Sequence, residues 1–89
     1  MAIISMFYGI VVSIYFLDSK KHKTPHIHVK YQEQEAVLEI PKGNLIEGAL
    51  KRNKMKLVQA WIEIHKEELM ADWELANSGE AVFKIDPLK

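Results

Sequence analysis

The stretch His26-Ile27-His28-Val29-Lys30-Tyr31 alternates polar and apolar side chains, and Glu35-Ala36-Val37-Leu38-Glu39-Ile40 repeats the pattern after Gln32-Glu33-Gln34. A period of two is the signature of half-buried β-strands. It turns Ile27, Val29 and Tyr31 one way and His26, His28 and Lys30 the other. In the second run Ala36, Leu38 and Ile40 oppose Glu35, Val37 and Glu39. A tight hairpin centred on Glu33 and Gln34 would pair Tyr31 with Ala36, Val29 with Leu38 and Ile27 with Ile40, so that the apolar faces agree. The same register predicts His28 opposite Glu39.

Upstream of this hairpin, Met1 to Leu17 carries no charge. A membrane helix needs about 20 predominantly apolar residues, and this run is shorter and interrupted by Ser5, Gly9 and Ser13. It neither opens on Lys or Arg nor offers a small-residue cleavage site, so it does not read as a secretory signal. Its β-branched and aromatic residues predict buried strand, with Gly9 at a turn or bulge. A strand from Ile10 to Phe16 would send Ile10, Val12, Ile14 and Phe16 into the core and leave Ser13 and Tyr15 on the face of the histidines. A polar, basic loop from Asp18 to Pro25 connects the two strands.

Downstream, Pro41, Gly43, Asn44 and Gly48 mark turns around a short extended piece, Leu45 to Ile46. Asn53 then reads as an N-cap, and Met55, Val58, Trp61, Ile62, His65, Leu69, Trp73 and Ala76 recur at helical spacing until Ser78 and Gly79. A straight helix from Lys54 to Asn77 would span about 36 Å, longer than the roughly 30 Å width of a globule of this size. It must therefore bend, break near Lys66, or project. A last strand is predicted from Val82 to Ile85, ahead of Pro87. The expectation is one α+β domain over residues 1–89, a small antiparallel sheet of three to four strands packed on one long C-terminal helix.

Composition narrows the function classes. With 89 residues, 48% of them hydrophobic and 27% charged, the chain is a single compact domain with a small core, not a multi-domain enzyme or a disordered tail. Twelve basic residues balance twelve acidic ones, so no overall field draws it to nucleic acid or anionic lipid, and only a local patch can. The absence of cysteine excludes disulfides, thiolate metal sites and a cysteine nucleophile, and fits a cytoplasmic location.

Three of the four histidines, His22, His26 and His28, fall within seven residues. A His-x-His pair on a strand sets its α-carbons roughly 7 Å apart on one face. With His22 or Asp18 from the loop, or Glu39 from the next strand, it could hold a metal ion. Without a metal or other cofactor, His26, His28 and Lys30 are the three types that RNA cleavage requires: a base, an acid and a cation for the phosphate. Tyr15 and Glu39 beside them would orient or replace one partner. Solvent-facing polar decoration of an outer strand is the plain alternative. Lys51, Arg52, Lys54 and Lys56 crowd the helix start, against the helix dipole, and read as an anion-binding group to which His22 is the loop's addition. His65 reads as a satisfied histidine at the core edge, and Trp61 and Trp73 as core anchors.

These residues resemble the bacterial family known as domain of unknown function 4160. The resemblance is carried by I-S-M-F-Y-G from Ile4 to Gly9, Tyr15-Phe16, P-H-I-H-V-K-Y from Pro25 to Tyr31, and Gly43. It continues through Glu47-Gly48, Leu57-Val58, Trp61, His65, Glu68-Leu69, Trp73, Gly79 and the closing I-x-P-L from Ile85 to Leu88. It implies a small protein encoded beside a second one, of domain of unknown function 2442, in a toxin-antitoxin-like arrangement. On that basis the chain would be the toxin-like component, with the neighbouring small protein as its antitoxin-like partner; the row of His26, His28 and Lys30 makes RNA the preferred target. Pro25, His26 and His28 would be its functional residues. Family members often carry Asp-His followed closely by Pro-Pro-His, whereas here S-K-K-H-K-T-P separates Asp18 from His26 and sets His22 apart. The alternatives from the residues themselves are a non-catalytic protein- or anion-binding module, a homo-oligomer among its forms, and a small metal-binding protein.

Overall fold

A computed structural model describes residues 2–16 and 23–89. Five strands form one antiparallel sheet in chain order: β1 (Ala2–Phe7), β2 (Ile10–Ile14), β3 (His26–Tyr31), β4 (Gln34–Glu39) and β5 (Leu45–Gly48). One helix follows, α1 (Arg52–Asn77). The α+β class is as expected, but the sheet has one strand more than predicted. The uncharged N-terminal run makes two strands by folding on itself at Tyr8 and Gly9, whose φ values of 50° and 78° suit a two-residue hairpin turn.

Ile4, Ile10, Val12, Ile14, Ile27, Val29, Leu38 and Ile40 are buried on the face that α1 covers, where they meet Val58, Trp61, Ile62, Leu69 and Trp73. Phe16, predicted to join them, is exposed. The β3–β4 register differs from expectation by two residues. Tyr31 pairs with Gln34, Val29 with Ala36 and Ile27 with Leu38, because the turn centres on Gln32 and Glu33, with Gln32 at φ 53°. An even shift leaves every side chain on its predicted face, but it sets His28 opposite Val37 and gives Glu39 to His26.

Asn53 is not the N-cap. Lys51 takes that position with extended backbone angles, and its own N–H donates to the Gln34 side chain at 2.7 Å, tying the helix start to the β3–β4 turn. A straight helix of 26 residues would measure about 39 Å, against a longest molecular extent of 33 Å. The expected bend is at His65, whose φ of −112° and ψ of 21° are non-helical. Beyond it Leu69, Trp73 and Ala76 are buried again, so the second half folds back onto the sheet and does not project. The chain leaves the helix through Gly79 in the left-handed region (φ 76°), with Gly79 N–H donating to Ala76 and Glu80 N–H to Leu75.

Val82–Ile85 is not a strand. Phe83 N–H is drawn to Asp72 at 3.0 Å, leaving one bond to β1, Ile85 N–H to Ile4 C=O at 2.8 Å, and Pro87 has no N–H to extend a ladder. The tail is a strap, fixed a third time by the Trp61 indole N–H donating to Asp86 C=O at 2.8 Å.

Candidate functional site

Only one face of the sheet is covered by α1. On the other, register rows run across the strands: Ser13, His28, Val37 and Glu47 form one, and Val11, Lys30 and Glu35 the next. Ser13, Val11 and Val37 are the short side chains of these rows, and His28, Lys30, Glu35 and Glu47 the long ones. This face holds a groove of about 370 Å³ lined by Ser13, Tyr15, His28, Lys30, Glu35 and Glu47 over a floor that includes Val11 and Val37.

Tyr15, one residue past the end of β2, stacks its ring on His28 with centroids 3.9 Å apart and planes 14° from parallel. The pair forms one wall of the groove, with Tyr15 39% exposed. Three sequence candidates thus converge: Tyr15, His28 and Lys30.

His26 does not share their exposure. It is 1% exposed, and its ring packs on Trp73 at 4.8 Å and against the edge of His28 at 5.3 Å. The cause is the bend at His65, which brings Trp73 over the start of β3. The His26 Nδ1 lies 2.8 Å from Thr24 C=O, which accepts its hydrogen bond and fixes the ring orientation. The expected pair of solvent-facing histidines is therefore corrected to one in the groove and one behind it.

Glu39 is also turned to structure. Its carboxylate accepts from the Asn44 side chain at 2.6 Å, and its backbone exchanges bonds with Asn44 and Gly43, closing the β4–β5 turn. Asp18 and His22, offered as metal or anion ligands, lie outside the described residues. Among the described residues no three His, Asp or Glu side chains are grouped to hold a metal ion.

Lys51, Arg52, Lys54 and Lys56 gather at the helix start, on the covered side of the sheet and away from the groove. Lys54 donates to Tyr8 C=O at 3.2 Å and sits 4.8 Å from the centre of the Tyr31 ring, so one member of the predicted anion group braces the fold. His65 is partly buried beside Trp61, with Nδ1 2.6 Å from the Glu68 carboxylate.

Two charged groove residues were not among the candidates read from sequence, Glu35 and Glu47. The alternation of β4 already put Glu35 on the histidine face. Glu47 had no such signal, because β5 is too short to show a period.

A family model described as domain of unknown function (DUF4160) matches residues 9–74, and the chain belongs to this family of small bacterial domains. No curated protein and no solved structure matches the chain. The matched span contains every groove residue and most of α1, and leaves out β1 and the strap. No helix among the described residues is long and apolar enough to cross a membrane.

Proposed function

We propose that this chain is the toxin-like component of a bacterial two-protein module and that it engages single-stranded RNA on the open face of its sheet. One observation carries the reading: an aromatic pair, Tyr15 on His28, stands in a groove beside Lys30 on the face the helix leaves bare. Aromatic rings on a sheet take unpaired bases by stacking, worth about 1 to 3 kcal/mol per base, and a neighbouring cation takes the phosphate. The burial of His26 argues for recognition over cleavage by a histidine pair, since a buried imidazole cannot reach a phosphate. A cognate small partner protein would neutralise the chain by covering this face.

The test is fluorescence anisotropy with a labelled five-nucleotide RNA at low salt, run beside growth of cells expressing the chain without its neighbour. Wild type should bind and inhibit growth, and Tyr15→Ala and Lys30→Ala should each weaken both. Unimpaired growth at confirmed expression together with no RNA binding would refute the proposal. The second reading, a non-catalytic protein-binding module, is favoured by Met6, 61% exposed, and Ile3 on the β1 end of the same face. It expects the face to be occupied by the partner protein and to ignore RNA.

A further inference from the structure

The kink at His65 divides α1 into two halves that bury separate groups of side chains: Val58, Trp61 and Ile62 before it, Leu69, Trp73 and Ala76 after it. Because His65 is non-helical (φ −112°, ψ 21°), the direction of the second half is set by what that half touches and not by continuation of the first. Two contacts hold it at adjacent residues. Asp72 accepts from Phe83 N–H of the strap at 3.0 Å, and the Trp73 ring lies 4.8 Å from that of His26, tilted by 53°. The buried His26 ring meets the edge of His28 at 5.3 Å, and His28 carries Tyr15 at 3.9 Å. Trp73 is 7% exposed and takes no part in lining the groove.

Resting on the RNA reading above, we infer that Trp73 is a positioning residue for the groove: through His26 it fixes the plane of the His28–Tyr15 wall on which a base stacks. It touches no ligand itself. Aromatic rings in edge and offset contact hold one another in defined orientations, and a close-packed row has few ways to relax when its end member is lost. An aliphatic side chain at position 73 fills space but gives His26 no flat surface to rest on. The coupling is reciprocal, so whatever moves Tyr15 is also felt at Trp73. Trp61, the other tryptophan, sits in the first half of α1 against Phe7 and His65, outside this row, and serves as a reference.

The experiment combines proton–nitrogen NMR of the two indole N–H groups with anisotropy on the labelled RNA pentamer UUUUU. Tyr15→Ala without RNA, and saturating UUUUU on wild type, should each shift the Trp73 indole resonance and leave that of Trp61 in place. Trp73→Leu should weaken UUUUU binding by about fivefold or more, the low end of what one stacked base supplies, and Trp73→Phe, which restores a ring, should stay within about twofold of wild type. Two further variants separate this from a merely structural role. Val58→Ala, a core truncation in the first half of α1, should bind within about twofold of wild type. Trp73→Leu added to Tyr15→Ala should lower affinity by less than about a further twofold, because both changes act on one wall. An unmoved Trp73 resonance in Tyr15→Ala, or losses that multiply in the double variant, would overturn the inference. The resonance measurements decide it even where Trp73→Leu proves too unstable to assay. Wild type that binds no pentamer, while Tyr15→Ala still shifts Trp73, would refute the RNA reading and leave the coupling standing.

Discussion

Replacing Asp72 by Asn should stabilise the protein at neutral pH and do almost nothing near pH 3. Asp72 is 2% exposed on the inner side of α1, where one carboxylate oxygen accepts from Phe83 N–H and the other has no partner among the described residues. Burial pushes its pKa above the ordinary carboxylate value, the charge of Glu68 adds to the rise, and the Phe83 N–H opposes it. A raised native pKa means the folded state binds the proton more tightly than the unfolded state. Stability from this group therefore increases as pH falls through the native pKa and levels off below the unfolded value of about 3.9. Above the native pKa the full cost of the buried charge is present.

The magnitude follows from the geometry. An unmatched buried polar group costs about 1 to 3 kcal/mol, and the Asn side chain keeps the acceptor for Phe83 but leaves an amide unpaired, so the low end applies. A gain of about 1 kcal/mol corresponds to roughly 4 to 8 °C in Tm for a domain of this size. Thermal melts of both proteins by circular dichroism from pH 7 to pH 3 would read it as a gap that closes on acidification. A variant less stable than wild type by the same amount at both ends would refute the reasoning, because the strap's tie to Phe83 would then outweigh the buried charge.

Other substitutions separate further physical causes. Gly48→Ala should cost more than about 2 kcal/mol in urea denaturation, since φ is 83° and a Cβ would collide with Glu35 C=O, whereas Gly79→Ala at φ 76° meets open space and should cost about 1 kcal/mol. Trp61→Phe should cost about 1 to 3 kcal/mol, because Asp86 C=O loses its indole donor and the core loses ring volume; a neutral result by chemical denaturation would mean that the strap is not held there. His26→Phe should keep the packing on Trp73 and lose the bond to Thr24. A loss of about 1 kcal/mol with RNA binding within twofold of wild type would fit a support that acts through packing alone, and a tenfold loss of binding with unchanged stability would show that the imidazole itself is needed at the groove.

What could be read from sequence was whatever depends on period. The faces of β2, β3 and β4 follow from alternation, and the apolar spacing of α1 together with the Ser78-Gly79 stop follows from its 3.6 repeat. Length arithmetic alone required the helix to bend, break near Lys66 or project, and the bend lies one residue from Lys66. The unreadable parts were set by contacts distant in sequence. The β3–β4 turn uses Gln32 in the left-handed region where Gly or Asn would have signalled it, so the register was displaced. The helix start has no side-chain cap, and its tie to the β3–β4 turn, from Lys51 N–H to Gln34, joins residues 17 apart. The strap stays irregular because Asp72 competes for its N–H group.

The site divides along the same line, and His26 shows why. Alternation assigned it to the face of His28 and Lys30, but alternation says nothing about what passes over the end of a strand. The bend at His65 sends the second half of α1 back across the sheet, and Trp73 closes on His26. Four rings then run in contact from helix to groove: Trp73, His26, His28 and Tyr15. A groove wall that rests on a buried ring, itself seated on the helix, has few alternative positions, because close-packed side chains transmit displacement more readily than they absorb it. His26 is thus best understood as the support that sets the angle of His28, and through it the plane of the Tyr15 ring. The same burial that removes it from direct chemistry holds the wall in place, which the proposed stacking of a base would require.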